Sequence, residues 1–186
     1  TPPIKNREDL VRSAFELFYR QGFHATGVDQ LSRESNVTKR TLYRHFQTKE
    51  ELVQAALRHR DEQFLLKMRA RVEAAPVPER PAAYVEFIIE WTREPGFHGC
   101  AFINAAAEFP ATSDAAHIIS AEHKAQLRDY LVAVCREAGL TAPESKGLQL
   151  FLLGEGLTVA AQVSGPDEAL EREARALAAG LVRSPE

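Results

Sequence analysis

Residues 26–49 read TGVDQLSRESNVTKRTLYRHFQTK. Two short helical stretches flank a tight turn, and the second is crowded with Lys39, Arg40, Tyr43, Arg44 and His45. Thr26 is expected to cap a helix over about 27–35, with Asp29 at the N3-like position of a capping box and Val28 and Leu31 facing inward. Ser35-Asn36-Val37 forms the turn, because Asn visits the left-handed region at low cost. Thr38 caps a helix over 39–46. On a helical wheel Leu42 and Phe46 fall together, Arg40 and Arg44 fall opposite, and Thr41, Tyr43 and His45 flank. So short a helix does not hold itself in water. It must pack through Leu42 and Phe46, which leaves its cationic side outward. Thr48-Lys49-Glu50-Glu51 is a second capping box that starts a long helix.

Side-chain chemistry assigns expected roles on that outer face. Arg40 and Arg44 can fork onto guanine O6/N7 or onto phosphates. Lys39 suits a base edge or a phosphate, and Tyr43 and His45 can donate to phosphates. Lys49 and Thr26 each stand at a helix start, where backbone amides also favour an anion. The expected DNA contacts are therefore Thr26, Thr38, Lys39, Arg40, Thr41, Tyr43, Arg44, His45 and Lys49. The plain alternative is a solvated basic face, or a scaffold surface that meets an acidic protein.

Charge is distributed in the same sense. Residues 1–60 hold eleven Lys/Arg against seven Asp/Glu, whereas residues 61–186 hold twelve against nineteen, for a net charge of −3 over 186 residues. A basic block on an acidic body is the asymmetry of a chain with one polyanion-binding part. At 45% hydrophobic the chain can bury a core. The N-terminal residues lack an apolar leader core, and no run approaches 18 apolar residues, so no secretion and no membrane span are expected. Cys100 and Cys135 are too few for a disulfide framework, which points to a reducing cytoplasm. There is no nucleophile–base pairing, glycine-rich phosphate loop or metal-spaced cluster. No enzyme activity, metal or cofactor is expected.

Working outward, the periodicity predicts an all-α chain of about nine helices. The first runs from about Lys5 to Gln21, with Leu10, Val11, Ala14, Phe15, Leu17 and Phe18 on one face and Gly22 as its stop. A long helix from Lys49 ends near Pro76, Pro78 and Pro81. Further helices are expected over about 81–93, 100–109, 113–138, 143–163 and 167–182, followed by a loose tail from Arg183. The expected division is a helix-turn-helix domain at 1–47 and a larger helical domain at 48–186.

The stretch Val37-Thr38-Lys39-Arg40-Thr41-Leu42-Tyr43-Arg44-His45-Phe46-Gln47-Thr48-Lys49, with Gly22-Phe23 and the helix before it, resembles the DNA-binding domain of TetR-family transcriptional regulators. Ser32 and Ser35 stand where Ala is usual in that pattern, Asn36 where Gly is usual, and Arg40 in place of a commonly small residue. The resemblance implies a homodimer that reads a palindromic double-stranded operator, a small-molecule effector bound in the C-terminal domain, and most often repression.

In the body, residues 148–163 (LQLFLLGEGLTVAAQV) are apolar nearly all round, and Gly154, Gly156, Ala160 and Ala161 would admit a close helix. The last helix sets Leu170, Ala174, Leu177 and Leu181 on one stripe. These two helices are the expected dimer interface. Glu155 interrupts the apolar run and is expected to bridge the dimer, face the effector or reach solvent. The expected effector-binding residues are Phe64, Met68, Phe87, Trp91, Cys100, Phe102, Ile103, Asn104, Glu108 and Phe151. Asn104 and Glu108, four apart in an otherwise apolar helix, suggest a polar ligand group or a buried network. Phe97–Glu108 also resembles a segment found in a subset of TetR-family C-terminal domains. Cys100, at a helix start, is a candidate oxidant or electrophile sensor, the alternative being a small buried thiol.

Overall fold

In the computed structural model residues 7–183 are described. They form α1 (Arg7–Gln21), α2 (Val28–Glu34), α3 (Lys39–His45), α4 (Lys49–Glu73), a 3-10 turn (Val77–Glu79), α5 (Arg80–Thr92), α6 (Ala101–Glu108), α7 (Ala115–Glu137), α8 (Pro143–Ser164) and α9 (Glu168–Arg183). No strand occurs among the described residues. The all-α expectation holds. The expected helix start at Lys5 and the tail beyond Arg183 lie outside the described residues. Contacts gather the chain into two compact units that are discontinuous in sequence. One is the chain as far as Gln63 with Ala101–His123; the other is Phe64–Cys100 with the chain from Lys124 onward.

In the first unit α1 buries Leu10, Val11, Ala14, Leu17 and Phe18. Phe15 is only half-buried and stacks on Tyr19 at 5.4 Å between centroids. Gly22 takes φ +99°, which glycine alone adopts freely, and its N–H returns to Phe18 O at 2.8 Å. Phe23 then folds back to stack on Phe18 at 5.4 Å. Thr26 does not cap α2. Its side chain is fully buried and its hydroxyl donates to Gly22 O at 2.7 Å, so the N-cap falls to Gly27, without a side-chain bond. The start of α4 follows expectation more closely. Thr48 Oγ1 accepts from Glu51 N–H at 3.2 Å, and the Glu51 carboxylate accepts from Gln47 N–H at 2.7 Å.

The second unit is organised around α5, whose Tyr84, Val85, Phe87, Ile88, Ile89 and Trp91 are all buried. A helix apolar on so many sides must be covered on several, and α8 and α9 both pack on it. Paired forks fix it in place. Arg93 meets Glu171 at 2.7 and 3.0 Å, Arg175 meets Glu86 at 2.7 and 3.0 Å, and Arg71 meets Glu90 at 2.8–3.2 Å. The Arg71 guanidinium holds the Glu90 carboxyl below its usual range.

The apolar run of α8 is not buried all round. Leu150, Gly154 and Thr158 face the unit's core, whereas Leu148, Leu152, Val159 and Val163 are exposed. Gly154 and Gly156 therefore serve different sides, for among the described residues nothing lies within 4 Å of a Cβ placed at Gly156, while Tyr84 presses on Gly154. On α9 the expected stripe also divides: Leu170 and Leu177 are exposed, but Ala174 is buried. Glu155 pairs with Lys124 at 2.6 Å.

A Cβ at Gly154 would stand 2.2 Å from Tyr84 Oη and 2.8 Å from its Cζ. Among the described residues the buried Tyr84 hydroxyl has no hydrogen-bond partner, and burial pushes the phenol well above its usual range. Gly154→Ala is therefore expected to destabilise the protein by roughly 1–3 kcal/mol through overpacking. Thermal melts should show a smaller loss for the same change in a Tyr84→Phe background. Equal losses in the two backgrounds would count against the clash.

Candidate nucleic-acid interface

Helix α3 is seven residues long and is held from one side. Leu42 and Phe46 are 0% and 2% exposed. Burying each contributes about 1.5–3 kcal/mol, more than the weak propensity of so short a helix. Thr38 caps it as expected, its Oγ1 accepting from Thr41 N–H at 3.1 Å. The turn before it is closed from α2. Val37 N–H donates to Ser32 O at 3.0 Å, and the Ser32 hydroxyl donates to Val37 O. Asn36 takes φ +53°, the left-handed conformation expected of it. Ser35 is buried, and its hydroxyl meets that of Ser13 on α1 at 3.0 Å. Both serines that depart from the usual pattern thus have local partners.

The opposite side of α3 faces out. Lys39, Arg40, Tyr43 and Arg44 are exposed, while Thr41 and His45 are half-buried. Among the described residues neither Arg40 nor Arg44 has a hydrogen bond or ion pair. Two planar, permanently charged forks therefore stand open for bidentate acceptors. Lys39 is engaged: its ammonium pairs with Asp29 of α2, and that hydrogen bond and charge raise its pKa. Lys49 is half-buried, and its ammonium reaches His24 O at 3.4 Å. The buried Thr26 hydroxyl is not part of the outward surface. An exposed cationic helix, seated on two supporting helices after a tight turn, is a helix-turn-helix placed to enter a major groove.

The sequence model described as "Bacterial regulatory proteins, tetR family" matches residues 10–56, which covers this arrangement. The structure is similar to that of a TetR-family transcriptional regulator of Streptomyces coelicolor, with 30% identity, 95% of this chain and 94% of that chain covered, and a TM-score of 0.88. The chain belongs to the TetR family. It is a DNA-binding transcriptional regulator. It is 39% identical over 77 residues to the regulator TcmR of Streptomyces glaucescens, which is 41% of this chain and 32% of TcmR. It is 41% identical over 61 residues to the activator FasR of Mycolicibacterium smegmatis, which is 32% of this chain and 28% of FasR. Each match spans under a third of the relative's own length.

The ten residues expected of a TetR-family effector pocket are split between the two compact units. In the second, Phe64 meets Phe87 and Trp91 edge-on at 5.5 and 5.0 Å between centroids, and Met68 is fully buried. Cys100 is buried there, with Lys124 Nζ 3.4 Å from its sulfur, and the Phe151 ring lies 6.0 Å from the same ammonium. In the first unit Phe102 is buried and stacks on His123 at 3.7 Å, while Ile103 and Asn104 are half-buried. His123 Nδ1 lies 2.7 Å from an Asp61 carboxylate oxygen. Glu108 is differently employed: its carboxylate accepts from the backbone N–H groups of Phe23 and His24. Lys124 and His123 escaped the sequence reading, and Asp29, expected in a capping box, pairs with Lys39 instead, because nothing in local spacing tells which partner a lone charged residue meets. Among the described residues no cluster could hold a metal ion, and no helix is long and apolar enough to cross a membrane.

Asp29 competes with any phosphate for Lys39. Asp29→Asn should tighten binding to random-sequence duplex and steepen the fall of log K with log salt by about one, as for one added phosphate contact. Titrations across a salt series check this. An unchanged slope would mean that Lys39 stays clear of the duplex.

Proposed function

We propose that this TetR-family chain is a repressor. It acts as a homodimer whose two α3 helices read the halves of a palindromic operator, and a small-molecule effector releases it. The observation that carries the reading is the outward display of Arg40, Tyr43 and Arg44 on a helix anchored by Leu42 and Phe46. Residues 1–47 serve DNA binding, and residues 48–186 serve effector binding and dimerisation. Thr38, Lys39, Thr41, His45 and Lys49 position the module on phosphates, and the two arginines reach base edges. Half-sites lie about one helical turn apart, or somewhat more.

Dimerisation is supported by the apolar side that α8 and α9 leave open. Leu148, Leu152, Val163 and Leu177 are 46%, 66%, 79% and 59% exposed, and Leu152, Leu157, Ala160, Leu170 and Leu177 line a shallow groove of about 240 Å³. So many large apolar side chains in one patch mark an interface, and a second copy presenting the same patch covers it under two-fold symmetry. Repression is the sign most often met in the family, whereas FasR carries the opposite one in its name.

A second reading, regulation through the Cys100 thiol, has one observation in its favour. The Lys124 ammonium, which pairs with Glu155, also donates to the sulfur at 3.4 Å, so the thiol of this buried residue has a polar neighbour. Burial pushes the other thiol, Cys135, up to about 11. Cys100→Ser that still leaves DNA on treatment with an oxidant or electrophile would end this reading.

Selection of bound fragments from the source genome tests the main reading. Wild type should enrich a two-fold symmetric motif, and Arg40→Ala/Tyr43→Phe should lose or weaken it. Leu152→Glu/Leu177→Glu should sediment as a folded monomer and bind a single half-site more weakly by orders of magnitude. A reporter behind the selected site gives the sign: silencing supports repression, and higher expression would make the protein an activator. No enriched motif at low salt would overturn the operator reading.

A further inference from the structure

The turn between α1 and α2 exposes two consecutive backbone N–H groups, those of Phe23 and His24, outside any helix. Both donate to the carboxylate of Glu108, at the last position of α6: Phe23 to Oε1 at 2.9 Å and His24 to Oε2 at 2.6 Å. The His24 ring nitrogen Nε2 lies 2.8 Å from the Glu108 carbonyl oxygen. The next ring, Phe109, packs against Phe23 and His24 at 6.1 and 4.6 Å between centroids. His117 Nδ1 in turn lies 2.8 Å from Phe109 O. Gly22 leaves the carboxylate room, for a Cβ there would approach Glu108 Oε1 to 3.1 Å. From the other direction Lys49 reaches the carbonyl of the same His24.

Two features separate this from an incidental surface contact. A carboxylate in the last turn of a helix faces the negative end of its dipole, so α6 alone disfavours Glu108. Successive N–H groups, by contrast, make a seat for one anion, and here the anion comes from 84 and 85 residues further along the chain. Helix α2 begins four residues after His24, and α3 is closed onto α2 by Ser32 and Val37. The turn at Phe23-His24 thus sets where the recognition helix starts from.

We propose that Glu108 is a positioning residue for DNA binding. It ties the helix-turn-helix to α6, and a displacement of α6 reaches the recognition helix through this carboxylate. The inference rests on DNA binding and not on the sign of regulation or on the effector. It replaces the ligand-contacting role that the sequence suggests for Glu108.

Full-length wild type, Glu108→Gln and Glu108→Ala decide the matter. The probe is a duplex library carrying the selected half-sites at varied separations. Amide exchange at Phe23 and His24 is followed by NMR in parallel. Wild type should protect both amides and favour one separation. Glu108→Ala should lose the protection, weaken binding to the favoured separation on the order of tenfold, and bind neighbouring separations nearly as well. Glu108→Gln, whose amide oxygen accepts one N–H while its NH₂ opposes the other, should fall between. A folded, dimeric Glu108→Ala with wild-type affinity and separation preference would overturn the proposal. If that variant does not fold, a wild-type separation profile in Glu108→Gln, or rapid exchange of both amides in wild type, overturns it instead. Failure of wild type itself to select any motif would sink operator recognition, a result distinct from both.

Discussion

The outward basic side of α3 depends on two buried side chains, Leu42 and Phe46. A helix of seven residues has too few internal hydrogen bonds to persist, so its shape is borrowed from what it packs on. With both anchors buried the helix has one permitted rotation, and that rotation puts Arg40 and Arg44 outward. Much of the surrounding detail serves this seat. Thr38 satisfies the first turn, Asn36 reverses the chain, Ser32 closes the turn and Ser35 joins α1. The supports are short-range and polar, and the seat itself is apolar. Directionality and driving force are thus supplied by different residues.

The second unit solves a different problem. Its central helix α5 is buried on most sides, and its neighbours are fixed in angle by planar arginine–carboxylate forks rather than by apolar packing alone. Glu171 is the most buried carboxylate of these pairs, at 7% side-chain exposure, and it is matched by both nitrogens of the Arg93 fork. The same unit leaves a row of leucines and valines on α8 and α9 uncovered. Rigid pairing on one side and open apolar surface on the other suit the homodimer proposed above.

The helices, the all-α class and the outward side of α3 were legible in the sequence, because each is written in local periodicity and capping chemistry. Thr38 and the Thr48–Glu51 box act within a few residues of themselves and were readable for that reason. Thr26 shows where local chemistry misleads. It has the chemistry of a cap and stands near a helix start, but a carbonyl at Gly22, brought close by a positive φ, takes its hydroxyl. Glu108 shows the other limit. A carboxylate in an apolar helix signals an unseen partner, and sequence alone does not say whether that partner is a ligand or the protein's own backbone. Residues 148–163 read as buried all round because composition does not separate a face covered by the chain itself from one left open.

The discontinuity of the first unit bears on how the protein is made. Its N-terminal helices complete their compact unit only with residues 101–123. At about 5–20 residues per second, synthesis runs for roughly 3–12 s after residue 63 before residue 123 is added. During that interval the nascent helices lack Glu108 and the neighbours it brings. A ribosome-bound or proteolytic fragment ending near residue 63 therefore lacks the carboxylate that the Phe23 and His24 N–H groups meet in the whole chain.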